Sequence, residues 1–109
     1  MLHTIATNQA VIAGGGYQEH SEAVPLNGNA VELSLTVLEM TASTTLTAAL
    51  QYGNDLENWT TETTTFLQLT NKGYGSQKWT GIAAQYVRMT YLQSTGTSVI
   101  AAEIRTSTQ

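Results

Sequence analysis

The side chains that could bind a metal ion are few in this sequence, and most of them stand near its start. His3, Glu19, His20 and Glu22 are the candidates for a hard or borderline metal. Their spacing matches no known ligand arrangement, and no second cluster completes the set. We therefore expect residues 19–22 to form a solvated loop, and we predict no cofactor.

A second group of oxygen ligands lies in residues 54–58, which read Asn-Asp-Leu-Glu-Asn. Asn54, Asp55, Glu57 and Asn58 could surround a calcium ion if a tight loop turned them inward. The same residue types are also favoured in β-turns, and the alternating acidic pattern of rigid calcium loops is missing. We predict a loop tip here, with Asn54, Asp55 and Asn58 as candidate ligand or interface residues.

Catalytic groups do not form a recognisable set. The chain is rich in hydroxyl groups but has only two histidines, and a serine or threonine without a positioned base is a weak nucleophile. No two carboxylates stand out as the pair that glycoside hydrolysis requires. We predict that the protein is not an enzyme.

Aromatic side chains offer a different kind of chemistry, because exposed rings can stack on sugars. Trp59, Trp79 and Tyr74 are the candidates for such a surface. In a small β-sandwich, rings of this kind more often anchor the core or an interface. We interpret them mainly as packing residues, with sugar binding as the functional alternative.

Composition limits the partners. Only 11% of the 109 residues are charged and the net charge is −4, with the basic residues Lys72, Lys78, Arg88 and Arg105 spread along the chain. Such a distribution cannot neutralise a run of phosphates, so we expect no direct contact with nucleic acid. No segment is long and apolar enough to predict a membrane span.

The strands that must position these groups follow from alternating apolar residues. The clearest segment is 30–40, where Val31, Leu33, Leu35 and Val37 should point inward. Residues 44–52 repeat the pattern after a short break, so the two strands should pair or face one another. Further strands are predicted at 59–69, 75–80, 85–92 and 98–104, with a hairpin-like break at 93–97.

The beginning of the chain is predicted to be a separate element. Residues 2–13 are strand-like and are followed by three glycines, which permit a hinge. We divide the chain into an N-terminal arm at 1–16 and a sandwich domain at 17–109. The apolar residues of the arm are candidates for contacts between subunits: Leu2, Ile5, Val11 and Ile12.

The overall prediction is an all-β protein with a single antiparallel, jelly-roll-like sandwich of about seven or eight strands. Nineteen threonines support it, because β-branched residues favour pleated strands. Short strands at this spacing are typical of sandwiches and jelly rolls.

Two short stretches of sequence carry a resemblance to a known group of proteins. Residues 50–60, Leu-Gln-Tyr-Gly-Asn-Asp-Leu-Glu-Asn-Trp-Thr, are followed at 84–89 by Ala-Gln-Tyr-Val-Arg-Met. This layout resembles small discoidin-like sandwiches and similar short proteins of bacteriophage virions. Their Ser/Thr/Gly hairpin and last apolar strand correspond to residues 93–104.

The resemblance implies a structural protein of the virion, such as a capsid decoration protein or the base of a spike or fibre. Its expected partners are further copies of the chain and other virion or capsid proteins. Sugar-binding relatives bind their ligand through loops at one end of the sandwich. A carbohydrate-binding or receptor-binding module is therefore the alternative function.

Overall fold

The structure is a computed structural model that describes residues 2–12, 19–41 and 44–108, and these residues form strands and loops without a helix. Nine strands are present within these described residues. In chain order they are β1 (Leu2–Ile12), β2 (Glu19–His20), β3 (Val24–Pro25), β4 (Ala30–Met40), β5 (Leu46–Gly53), β6 (Thr60–Leu69), β7 (Gly73–Trp79), β8 (Tyr86–Gln93) and β9 (Thr97–Ser107).

The strands form two antiparallel sheets packed face to face. One sheet, called sheet A, has the order β1-β9-β4-β7, and sheet B has the order β2-β8-β5-β6, with β3 also paired to β8. The first strand thus pairs with the last, the next two with the second last, β4 with β7 and β5 with β6. This is the wrapped ribbon of a jelly roll, as predicted from the sequence.

The strand count exceeds the predicted seven or eight because β2 and β3 are two short pieces along one edge of sheet B. The prediction of a solvated loop at 19–22 was therefore wrong for its first three residues, since residues 19 and 20 form β2 and Ser21 is buried. The ladder against β8 is interrupted at Ser21. Its hydroxyl accepts a hydrogen bond from the Met89 N–H at 2.9 Å, and its own N–H donates to the Met89 carbonyl at 2.9 Å. A side chain therefore replaces one backbone contact of the ladder.

Two short connections cross between the sheets. β4 lies in sheet A and β5 in sheet B, so these strands face one another, which is one of the two arrangements predicted, and do not pair. The break at 93–97 likewise carries the chain from β8 in sheet B to β9 in sheet A, so the hairpin interpretation was wrong there. Of the sequence neighbours among the seven longer strands, β5 and β6 form the one pair.

The core lies between the sheets and follows the predicted alternation. Val31, Leu33, Leu35 and Val37 are buried, which confirms the inward face of β4. On β8 the inward face is the one that carries Val87, Met89 and Tyr91; the sequence left both faces open. Tyr86, Arg88 and Thr90 alternate with them; Tyr86 and Arg88 are half-buried on the outer face of sheet B, and Thr90 is buried.

β1 is an edge strand of the domain's own sheet. It pairs with β9 from Leu2 opposite Arg105 to Ile12 opposite Thr97. Ile5 and Val11 contribute to the core, whereas Leu2 and Ile12 are exposed. The three glycines of the predicted hinge lie outside the described residues.

Tyr91 places a hydroxyl in the core. Its side chain is 1% exposed, and the hydroxyl has no hydrogen-bond partner within the described part of the chain. A buried polar group without a partner costs about 1–3 kcal/mol. We expect Tyr91→Phe to raise the free energy of unfolding by about 1 kcal/mol, measured by urea denaturation. Tyr74→Phe, which removes an exposed hydroxyl, should change it by less than about 0.5 kcal/mol.

The same residue predicts a dependence on alkaline pH. Burial raises the pKa of Tyr91 well above its ordinary value of 10.0. The unfolded chain therefore releases this proton above about pH 10 while the folded chain retains it, so the free energy of unfolding falls as the pH rises. Tyr91→Phe should show a shallower decline of the free energy of unfolding between about pH 9 and 11. Identical slopes in the two proteins would contradict this.

Candidate functional site

The residues singled out in the sequence do not gather into one site. Asn54, Asp55 and Asn58 share a loop at one end of the sandwich, whereas the aromatic residues lie in three different places. Trp59 lies on the outer face of sheet B, Trp79 in the core, and Tyr74 on the outer face of sheet A.

The loop at 54–58 is organised around the carboxylate of Asp55. Its Oδ1 atom accepts hydrogen bonds from the backbone N–H groups of Glu57 (3.1 Å) and Asn58 (2.8 Å), and its Oδ2 atom accepts from the Asn58 amide at 2.8 Å. These bonds, led by the Asn58 backbone N–H, lower the pKa of Asp55. Both carboxylate oxygens thus stabilise the turn, as in the turn interpretation of this segment.

A shallow pocket of about 220 Å³ lies beside this loop. Asn54 forms part of its wall and accepts a hydrogen bond from the backbone N–H of Gln85 at 3.1 Å, which ties the loop to the segment before β8. Leu56 at the loop tip is 54% exposed and has a φ of 65°, a conformation that costs energy for a branched side chain. The remaining wall residues are Tyr52, Gly53, Asp55, Asn58, Thr60, Ala83 and Ala84.

Trp59 and Arg88 meet on the outer face of sheet B. The central carbon of the Arg88 guanidinium lies 4.4 Å from the centre of the Trp59 ring, within the range of a cation–π contact. The Arg88 Nε–H donates to the Gln51 Oε1 atom at 2.7 Å, and the Gln51 amide donates to the Thr61 hydroxyl at 2.9 Å. We call these four residues, Gln51, Trp59, Thr61 and Arg88, the Arg88 site.

Gly53 allows the loop at 54–58 to fold back so that Trp59 lies on the outer face of sheet B. A Cβ atom added there would lie 2.3 Å from the carbonyl oxygen of Asn58 and 3.6 Å from the Cε3 atom of Trp59. The loop therefore returns directly over Gly53 and lays the indole of Trp59 on the sheet. A side chain at residue 53 would displace backbone and not just a flexible neighbour.

Trp79 belongs to the core and is not a surface for sugar. It is 4% exposed, and its indole N–H donates to the Thr65 carbonyl at 2.9 Å. Thr65 lies in a large bulge of β6, where residues 62–65 stand opposite the single residue Leu50. Trp79 thus closes one side of the sandwich and holds this bulge in place.

Tyr74 lies 65% exposed on the outer face of sheet A, where its hydroxyl donates to the Ser34 hydroxyl at 3.2 Å. It borders a shallow groove of about 270 Å³ whose other walls are mainly small residues. They are Thr4, Ala6, Thr7, Ser34, Thr36, Ala101, Ala102 and Glu103.

The free edges of the sheets differ in their capacity to pair with another strand. β6 is interrupted by its bulge, and β7 is shorter and carries Lys78, a residue type that discourages pairing. β1 has 11 residues without an acidic residue, a lysine, an arginine or a proline. Its ladder to β9 is irregular between Thr4 and Gln9 but regular over residues 9–12.

The sequence provided Trp59 as a candidate but not the Arg88 site. Arg88 stood out only as one of four basic residues, and Gln51 carried no signal. An alternation argument could have placed Gln51 and Arg88 on outward faces, but not side by side. Their register, Gln51 opposite Arg88, is a property of the β5–β8 pairing.

Within residues 2–12, 19–41 and 44–108, no group of three or more histidine, cysteine, aspartate or glutamate side chains is close enough to hold a metal ion. No helix in these segments is long and apolar enough to cross a membrane. Comparison with known proteins gives no match to a family model, to a curated protein or to a solved structure.

Proposed function

We propose that this chain is a non-enzymatic structural protein of a virion, whose copies associate through the edges of their β-sheets. The observation that carries the proposal is the uncharged edge strand β1 on a jelly-roll domain. Jelly rolls serve as capsid and lectin domains, and an unblocked edge is a surface for strand pairing. The sequence resemblance to small phage virion proteins supports the same class.

Residues 9–12 of β1 are the segment best suited to pair with a second copy. They keep a regular register, Gln9 opposite Ile100 to Ile12 opposite Thr97. Ala10 and Ile12 are exposed, while Val11 is buried and holds the strand on its own domain. Two copies joined at this edge by a twofold axis would form one continuous eight-stranded sheet from two four-stranded sheets A.

Lysine at this edge should separate the copies. In the double variant Ala10→Lys and Ile12→Lys, like charges meet across the twofold axis. We expect the dissociation constant of the dimer to rise at least about tenfold, measured by sedimentation velocity. The control is Thr63→Lys with Thr64→Lys, two exposed positions in the β6 bulge. A wild-type chain that stays monomeric at high concentration, or equal effects of both double variants, would refute edge pairing through β1.

The location in a virion has its own test. Particles purified by density gradient from the virus that encodes the chain should contain its peptides in a fixed copy number relative to the major shell protein, measured by quantitative mass spectrometry. Absence from such particles would refute the virion role, while edge pairing would still be judged by sedimentation.

A carbohydrate-binding or receptor-binding role is the second candidate. It is supported by the half-buried Trp59 on the surface of sheet B and by the pocket beside Asn54 and Asn58. Trp79 does not contribute to it, because its ring is enclosed in the core.

A further inference from the structure

The guanidinium of Arg88 is held in a fixed orientation. Gln51, which receives its Nε–H, is 8% exposed, and the bond from the Gln51 amide to Thr61 fixes that acceptor in turn. The ring of Trp59 contacts the guanidinium from one side. An arginine on a flexible stem would lose this orientation in solvent, whereas here the ordering is already present in the free protein.

Most of the hydrogen-bonding capacity of Arg88 is still unused. A guanidinium has five N–H donors, and in the described part of the chain the bond to Gln51 uses Nε–H only. Burial lowers the pKa of Arg88. A partly desolvated cation with free donors is a place where an anion gains both charge pairing and hydrogen bonds.

The form of the site selects the anion. The two terminal nitrogens of one guanidinium match two oxygens of one carboxylate or of one phosphate, so the number of nearby cations decides between these anions. A polyanion would need several cations, but Arg88 is the one basic residue of β5, β6 and β8, the three long strands of sheet B. Thr61 adds a neutral hydroxyl, and Tyr86 lies two residues from Arg88 on the same outer face. Hydroxyl and aromatic groups around one cation suit a ring that carries hydroxyls and a single acid group.

We propose that the Arg88 site binds the carboxylate of an acidic sugar residue. This binding does not require assembly through β1.

The test is a titration of the full-length chain with glucuronate, followed by amide chemical shifts and by tryptophan fluorescence. Glucose is the neutral control, and acetate is the carboxylate without the sugar. We expect glucuronate to bind with a millimolar dissociation constant, to shift the signals of residues 51, 59, 61 and 88, and to bind more tightly than acetate or glucose. No binding by glucuronate, or equal binding by acetate, would overturn the proposal.

Substitutions then locate the site. Arg88→Gln should weaken glucuronate binding at least about tenfold, and Arg88→Lys should weaken it as well, because an ammonium cannot form the two-pronged contact. Arg105→Gln is the matched control, since Arg105 is exposed on β9 of the other sheet. Equal binding by Arg88→Gln and Arg105→Gln would overturn the assignment, provided that both retain the thermal unfolding of the wild type; Arg88→Lys provides the comparison if Arg88→Gln does not.

Sedimentation of the same samples separates this proposal from the proposed assembly. If Arg88→Gln converts an oligomer into a monomer, the cation contacts a second copy, and the sugar site is refuted. The Ala10→Lys and Ile12→Lys double variant should bind glucuronate like the wild type. Loss of dimerisation with retained glucuronate binding would count for both proposals, and a monomeric wild type that binds glucuronate would refute only edge pairing.

Discussion

Trp79→Ala should lower the free energy of unfolding by about 3–5 kcal/mol, the range found when a buried tryptophan or phenylalanine is truncated. Trp79 is 4% exposed and fills the side of the sandwich between β6 and β7. The substitution leaves a cavity and also removes the donor to the Thr65 carbonyl. Because a domain of this size is stable by about 5–15 kcal/mol, the variant should be close to unfolded in mild denaturant.

Urea denaturation followed by circular dichroism measures this effect. Two further variants separate the contribution of the indole N–H from that of the ring volume and compare a tryptophan on the surface. Trp79→Phe keeps most of the ring volume but loses the indole N–H, so its cost should be about 1–2 kcal/mol. Trp59→Ala removes a half-buried ring from the outer face of sheet B, and should cost no more than about 2 kcal/mol. A loss in Trp59→Ala as large as in Trp79→Ala would contradict the placement of Trp79 as the core residue.

The second large effect concerns Gln93, which is 3% exposed at the end of β8. Its amide donates to the Thr44 hydroxyl at 3.0 Å and to the Thr95 carbonyl at 2.9 Å, and its Oε1 atom accepts from the Ser98 hydroxyl at 2.9 Å. Thr44 also accepts from the Thr95 N–H at 3.2 Å and donates to the Thr95 carbonyl at 2.6 Å. This network joins the chain before β5 to the connection between β8 and β9.

Gln93→Leu should therefore cost about 2–4 kcal/mol, since it preserves side-chain size but leaves the Ser98 hydroxyl without its buried acceptor and the Thr44 hydroxyl without one donor. Gln68→Leu is the matched control. Gln68 is exposed and donates to the Thr47 hydroxyl at 3.3 Å, so its replacement should change stability by less than about 0.5 kcal/mol. Equal effects of the two variants in urea denaturation would show that the buried network contributes nothing specific.

The network around Gln93 and the Arg88 site show why the fold class could be predicted from the sequence, whereas these side-chain contacts could not. Gln93 appeared in the sequence as part of a hairpin-like break, but it is a buried polar residue with partners up to 49 positions away. Arg88 and Gln51 are 37 positions apart. Neither partnership has a local pattern, because each depends on which strand becomes the neighbour of which.

What the sequence determined by itself is local. Alternation of apolar residues set the inward face of β4, threonine content indicated strands, and the Asn-Asp-Leu-Glu-Asn segment indicated a loop tip, because each follows from the twofold period of a strand or from turn chemistry within a few residues. The same alternation does not say to which sheet a strand belongs. The pairing of β1 with β9 joins residues that are far apart in the sequence, such as Leu2 and Arg105. It therefore depends on the folding of every strand between them.

The packing of these strands into two sheets determined the features on which function would depend. It placed Trp79 inside and Trp59 outside, although both were equal candidates in the sequence, because the bulge of β6 offers a carbonyl to one ring and Gly53 leaves room for the other. It also placed β1 on an edge of sheet A, so that a strand interpreted from sequence as a separate arm is part of the domain's own sheet. Burial, pairing and register result from the packing of distant segments, and only the tertiary structure determines them.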